Sequence, residues 1–264
     1  MIKETNKKAL AKKQFGQNFL QDKFVLDKII QSIPNTNAQI VEIGAGLGDL
    51  TNKLLSLGDI TAYEVDTELL PYLEERFAKE LQNGKLKIQM GDILKIWEGK
   101  SFRDKPYFLV SNLPYYIATL LVVKAIKDPL CKGFVVMTQK EVALKFCAKV
   151  KESDFSALSV LLGSVGGGEL ILEVPKEAFI PPPKVTSAVF RCQKTENCDF
   201  VFLQNLEKLL QIAFCAPRKT LLNNLQKHFE KEKILNAFLE LEIEINSRPH
   251  EIDIPLYHRL LKIF

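Results

Sequence analysis

The chain has 264 residues, 47% of them hydrophobic and 26% charged, enough for one large core and a smaller satellite domain. No apolar run approaches the roughly 18–20 residues of a membrane-spanning helix, which excludes an integral helical membrane protein. The net charge of +4 sits within residues 1–28, where seven lysines face three acids, and the remaining 29 basic and 29 acidic residues cancel. Such a start is either a solvated tail or a basic arm that neutralises a polyanion. Cys131, Cys147, Cys192, Cys198 and Cys215 form no Cys-x-x-Cys pair. That spacing, with a polar start lacking an apolar signal core, predicts a reducing cytoplasm, no disulfide framework and no metal.

Taken in chain order, short β-rich runs alternate with longer helical patterns. Strands are predicted at 39–43, 60–65, 86–90, 107–111, 134–138, 170–174 and 185–191, and helices at 49–57, 67–81 and 140–150. Strands separated by single helices imply right-handed crossovers and a mostly parallel sheet covered on both faces. The last two strands are joined by a loop containing Pro181-Pro182-Pro183 and no helix, so the seventh should run antiparallel at or near an edge. After residue 197 only amphipathic patterns recur, at 200–214, 218–229, 233–241 and 254–264. The expected division is an α/β domain over 1–197, with a basic arm over 1–28, and a small all-α domain over 198–264.

The chemistry gathers where strands end. Gly44-Ala45-Gly46-Leu47-Gly48 follows the first strand and opens a helix; Gly44 and Gly46 allow a tight turn and close approach of backbone to a ligand. Glu64 closes the second strand, where a carboxylate can accept from both hydroxyls of a ribose. Asp92 and Asn112 end the third and fourth. Alone, Asp92 reads as a helix cap and Asn112 as a turn residue; together the four line the crevice of an open doubly wound sheet.

Dinucleotide enzymes place their third glycine one residue later than Gly48, and Asn112-Leu113-Pro114-Tyr115 decides against them. An aryl amine is a poor nucleophile because its lone pair is delocalised into the ring. An amide oxygen and a nearby main-chain carbonyl, both accepting from that amine, favour a pyramidal nitrogen with a freer lone pair. Pro114 restricts the loop and Tyr115 offers a ring for stacking a base. This is methyl-acceptor chemistry.

These motifs, with Phe15-Gly16-Gln17-Asn18-Phe19-Leu20, Phe179-Ile180-Pro181-Pro182-Pro183-Lys184-Val185 and Arg218-Lys219-Thr220-Leu221, closely resemble the ribosomal RNA adenine dimethyltransferases, the KsgA-like family, over essentially the whole chain. The resemblance implies a Rossmann-like class I fold, a seven-stranded mostly parallel sheet, and S-adenosylmethionine as cofactor. It implies that Gln17, Asn18 and Leu20 contact that cofactor, Gly44 and Gly46 its methionine portion, Glu64 its ribose, and Asp92 with Ile93 its adenine. Asn112 would lie beside the reacting centre with Leu113 and Pro114, and Phe179 would face Tyr115 across the target base. Tyr116 and Ala118 depart from a common asparagine and serine, and Phe155-Ser156 from a common Tyr-Gly. The implied substrate is 16S ribosomal RNA in the small subunit, dimethylated on two adjacent adenosines near its 3′ end by a cytoplasmic monomer with a role in ribosome biogenesis. Lys7, Lys8, Lys12, Lys13, Arg218 and Lys219 are the candidate RNA contacts. The competing readings are an antibiotic-resistance methylase acting on 23S RNA and a non-catalytic RNA-binding assembly or transcription factor on the same fold.

Overall fold

The structure, a computed structural model, describes residues 11–12, 15–195 and 199–264. Lys7, Lys8 and Lys13 lie outside the described residues. The strands, in chain order, are β1 (Phe19–Leu20), β2 (Gln39–Ile43), β3 (Ile60–Glu64), β4 (Leu86–Met90), β5 (Tyr107–Asn112), β6 (Cys131–Gln139), β7 (Glu169–Val174), β8 (Phe179–Ile180) and β9 (Ser187–Gln193). Apolar residues dominate β2, β3, β5 and β6, and all four are buried along nearly their whole length. Continuous burial of this kind belongs to parallel strands covered on both faces. Edge strand β4 instead alternates buried and exposed positions.

Seven strands form one sheet in the order β4-β3-β2-β5-β6-β9-β7. The first five in that order pair in parallel. The chain enters at β2, works outward to β4, then returns to β5 on the other side of β2. The crevice between β2 and β5 is therefore the topological switch point, the place where open α/β sheets bind ligands. Strand β9 runs antiparallel, as the helix-free connection predicts, and lies between β6 and β7, so that β7 takes the edge. A second ribbon, not expected from the sequence, pairs β1 with β8 antiparallel, setting Leu20 opposite Phe179.

The helices are α1 (Lys23–Gln31), α2 (Asp49–Leu54), α3 (Leu70–Arg76), α4 (Ala78–Gln82), α5 (Ile93–Ile96), α6 (Tyr115–Lys127), α7 (Lys140–Cys147), α8 (Ala157–Gly163), α9 (Phe200–Ala213), α10 (Leu221–Leu225), α11 (Lys231–Glu240) and α12 (Ile254–Ile263). The single helix expected over 67–81 is broken at Phe77, which turns its ring into the core against Gly48: a Cβ there would come within 2.4 Å of it. The helix expected over 218–229 shrinks to α10, in which buried Asn224 donates its amide to the carbonyls of Ala213 (2.7 Å), the last residue of α9, and Ala216 (3.1 Å). Among the described residues no helix is long and apolar enough to cross a membrane.

Two compact units emerge, and they correct the expected cut after residue 197. One holds the chain up to Ala143 together with Glu169–Lys194; the other holds Leu144–Gly168 with Thr195–Phe264. The segment 144–168 joins the helical unit because its side chains complete that unit's core. Gly163 leaves room for Ile254, and the Ser164 hydroxyl lies 2.8 Å from Nε2 of His258. In the sheet-bearing unit, the only tryptophan, Trp97, is buried against Phe102 (ring centroids 4.4 Å) and near Tyr107 (6.4 Å).

Candidate active site

The carboxyl ends of β2, β3, β4 and β5 open into one cavity of about 280 Å³. Gly44, Glu64, Asp92 and Asn112 all line it, so the four strand-end groups picked out in the sequence share one space. Gly46, Ile93, Leu113, Pro114 and Tyr115 line it too, and Gln17, Asn18 and Leu20 supply a further wall.

The glycine loop is held by its own backbone. Gly44 and Gly46 take positive φ angles of 80° and 57°, which glycine adopts without steric cost. The Gly44 N–H then donates to the Tyr63 carbonyl (2.8 Å), and the Gly46 N–H donates to Oε2 of Glu64 (2.8 Å). Oε1 of Glu64 accepts from the N–H groups of Val65 and Asp66, each at 2.9 Å. Burial pushes the Glu64 carboxyl above its ordinary range, and these three N–H donors oppose that shift. A carboxylate offers about four acceptor positions, so roughly one remains for a ligand hydroxyl. Asp92 follows β4 and caps α5, accepting from Leu94 N–H at 2.9 Å, while the Gly91 N–H donates to the Glu64 carbonyl (2.8 Å) and ties the two strand ends together.

Asn112 donates through Nδ2 to the Asn18 carbonyl (3.2 Å). That bond commits its amide nitrogen, so Oδ1 is the end left to accept. The half-buried Tyr115 is anchored by a hydrogen bond between its hydroxyl and that of buried Ser187. Phe179 is placed differently from the expectation. It is 2% exposed, sits in β8 within the main hydrophobic core, and is not among the cavity-lining residues. It pairs with Leu20 across the β1–β8 ribbon.

Glu42 was missed in the sequence, where it reads as one position of a buried strand. It lines the cavity, is 1% exposed, and accepts from the Thr51 hydroxyl at 2.6 Å through Oε2. Among the described residues its Oε1 has no hydrogen-bond partner. Burial pushes its carboxyl up to about 8, with the negative charges of Glu64 and Asp49 adding to the shift against the Thr51 bond. The available signal was a carboxylate between the apolar Val41 and Ile43 of a parallel strand.

Among the basic candidates, Lys12 is paired with Asp66 and Glu68, both at 2.8 Å. Arg218 and Lys219 are exposed in the turn before α10 of the helical unit.

A family model described as ribosomal RNA adenine dimethylase matches residues 8–264. The chain belongs to this family. It is therefore an S-adenosylmethionine-dependent methyltransferase of ribosomal RNA. It is 47% identical over 258 residues to the "Ribosomal RNA small subunit methyltransferase A" of Campylobacter hominis, covering 96% of both chains. It is 48% identical over 262 residues to the protein of that name from Campylobacter curvus, covering 96% of this chain and 91% of the relative. Among solved structures, a dimethyladenosine transferase from Plasmodium falciparum superposes with a TM-score of 0.78 at 27% identity, over 92% of this chain and 95% of that one. The 23S rRNA methyltransferase ErmE shares the fold, with a TM-score of 0.70 at 21% identity over 93% and 99% of the two chains. The chain thus has the class I methyltransferase fold. Its cavity fits the methyl donor: the acceptor position left on Glu64 suits a ribose hydroxyl, and the unpartnered buried Oε1 of Glu42 marks a place for a polar ligand group.

Proposed function

We propose that this protein dimethylates the exocyclic amines of two adjacent adenosines near the 3′ end of 16S ribosomal RNA, acting on the small ribosomal subunit during ribosome biogenesis. The observation that carries the reading is the convergence of Gly44, Glu64, Asp92 and Asn112 on one cavity at the switch point of the sheet. The small-subunit name borne by relatives at 47–48% identity supports the choice of substrate. A ribosomal substrate puts the reaction in the cytoplasm, and because one chain carries every proposed contact, a monomer suffices.

In this reading Glu64 holds a ribose hydroxyl of the methyl donor, and Asp92, with Ile93 beside it, holds the donor's adenine. The Gly44–Gly46 loop receives the methionine portion, and Gln17, Asn18 and Leu20 close over it. When bound, S-adenosylmethionine supplies a methyl carbon activated by a sulfonium whose charge is lost on transfer. Oδ1 of Asn112 and the Leu113 carbonyl accept from the two N–H groups of the target amine and favour its pyramidal form. Pro114 keeps the loop stiff, and the Tyr115 ring stacks on the extruded base, an interaction worth about 1–3 kcal/mol. Positioning of this kind can lower a barrier by about 7–11 kcal/mol, and the chain needs no dedicated base because a methylated arylammonium is acidic. Extrusion of the adenosine costs a few kcal/mol and is least in an unpaired strand. Arg218 and Lys219 of the helical unit, with Lys7, Lys8 and Lys13, are assigned to RNA phosphates.

The test is methyl transfer from labelled donor to unmethylated small and large subunits, with the product nucleosides mapped. Dimethyladenosine at two neighbouring positions of 16S RNA is expected. Label confined to the large subunit would favour the resistance-methylase reading. Failure to bind donor, alone or with subunits, would favour the non-catalytic one.

A further inference from the structure

Lys12 was expected to meet RNA, yet its ammonium is already engaged. It lies 2.8 Å from Oδ1 of Asp66 and 2.8 Å from Oε1 of Glu68, spending two of its three donors within the protein. Asp66 is a grip rather than a passive partner. Its side chain is 2% exposed, and its second oxygen accepts from Nε2 of Gln17 at 3.0 Å. Gln17 in turn accepts from the Lys12 N–H through Oε1 (2.8 Å), and the N–H groups of Phe15 and Gln17 donate back to the Lys12 carbonyl (3.2 and 3.4 Å). Next along the chain, the Asn18 carbonyl receives Nδ2 of Asn112. Hydrogen bonds, with the one backbone step from Gln17 to Asn18, therefore connect Asp66 to the amide beside the reacting centre.

We propose that Asp66 is a positioning residue for methyl transfer and that Lys12 is its clasp: gripping Lys12 and Gln17, Asp66 holds residues 15–20 as a wall of the donor cavity and fixes which end of the Asn112 amide faces the acceptor amine. The inference rests on the donor and acceptor roles given above. The orientation matters because the two ends of an amide are opposite in kind. Were the Asn18 carbonyl to move away, Asn112 could rotate and present N–H where the incoming amine needs an acceptor. Asp66 also reaches the donor side, because its own N–H is one of the three held by Glu64. One residue thereby sets the ribose-binding carboxylate through its backbone and the opposite wall through its side chain. The carboxyl is built to stay ionised: burial acts to raise it, but the hydrogen bonds from Lys12, Gln17 and the Glu68 N–H hold it below its ordinary range.

The experiment compares wild type with Asp66→Asn, Lys12→Ala and Lys12→Arg in the full chain. Three quantities are read: kcat on unmethylated small subunits at saturating donor, the salt dependence of subunit affinity, and hydrogen exchange of the amides at residues 15–20 in the free protein. Lys12→Ala and Asp66→Asn are expected to lower kcat by about tenfold or more, since small misplacements at a reacting centre carry losses of up to about a hundredfold. Both should speed exchange at residues 15–20, and Lys12→Arg should restore both readouts. The salt slope should be unchanged in every variant. If Lys12→Ala instead flattens that slope by about 0.7–0.9, the loss of one phosphate contact, while exchange stays slow, then Lys12 binds RNA and the clasp is wrong. Unchanged exchange at residues 15–20 in Lys12→Ala and Asp66→Asn also overturns it. Exchange needs no substrate, so it tests the clasp even if wild type methylates no subunit, a result that would instead refute the proposed function. Lys12 is partly exposed, so its variants keep the test open should Asp66→Asn fail to fold.

Discussion

The two halves of the cavity are built differently. On the donor half, at the ends of β2, β3 and β4, each functional group is locked by the backbone next to it: Glu64 takes three N–H donors, two of them from Val65 and Asp66, and Asp92 caps the helix that follows it. On the acceptor half, Asn112 is steadied by one bond to a carbonyl 94 residues away in the chain, and Tyr115 by one bond to Ser187 across 72 residues. Local bonds assemble a nucleoside-holding site as soon as the strands pair; the acceptor pocket waits on contacts that cross the whole fold. Donor binding and methyl transfer should therefore be separable by mutation.

The sharpest way to break this contrast is Asn112→Ala. It should leave the donor dissociation constant within about twofold and cut kcat by about 10²–10³, the loss typical of one preorganised polar group. Equal turnover would remove Asn112 from the chemistry. Glu64→Ala should act on the other half, weakening donor affinity by about 1.5–3 kcal/mol, the value of hydrogen bonds to a charged group, as read by calorimetry; unchanged affinity would contradict the ribose role.

A pH-dependent effect on stability separates Glu42 from Glu64. With its carboxyl at about 8 in the folded protein and about 4.5 when unfolded, Glu42 keeps a proton in the native state that the unfolded chain has released. Its contribution is thus fully present below pH 4.5 and is lost as pH rises through 8, by about 1.4 kcal/mol for each unit between. Glu42→Gln should flatten the fall in stability across that window, measured by urea unfolding at several pH values. The smallest effect concerns Phe179→Leu: a loss of under about 1.5 kcal/mol of stability, with subunit KM within twofold, as suits a core residue. A large rise in KM with stability unchanged would return Phe179 to the acceptor pocket.

This contrast also explains what could be read in the sequence. Gly44, Glu64, Asp92 and Asn112 were legible because a parallel strand of fixed period delivers its last residue to a known rim, so chain order becomes position. The β1–β8 ribbon was not, because two-residue strands carry no period, and with it went the burial of Phe179. The sequence predicts a helix over 140–150 but none over 157–163, and periodicity gives a helix its apolar face, not the partner that face will meet. Glu42 hid among apolar neighbours because burial on both faces makes a strand's pattern uniform. Lys12 read as a free cation because its partners, Asp66 and Glu68, are more than fifty positions away and reached only by folding.

Trp97 gives the molecule a built-in reporter. It is the single tryptophan of the chain and lies wholly inside the sheet-bearing unit, packed on Phe102. Its emission on denaturation follows that unit alone, whereas far-ultraviolet circular dichroism also registers the helical unit. Superimposable melting curves from the two signals would mean that both units unfold in one cooperative step; curves that part would reveal an intermediate in which one has come undone before the other.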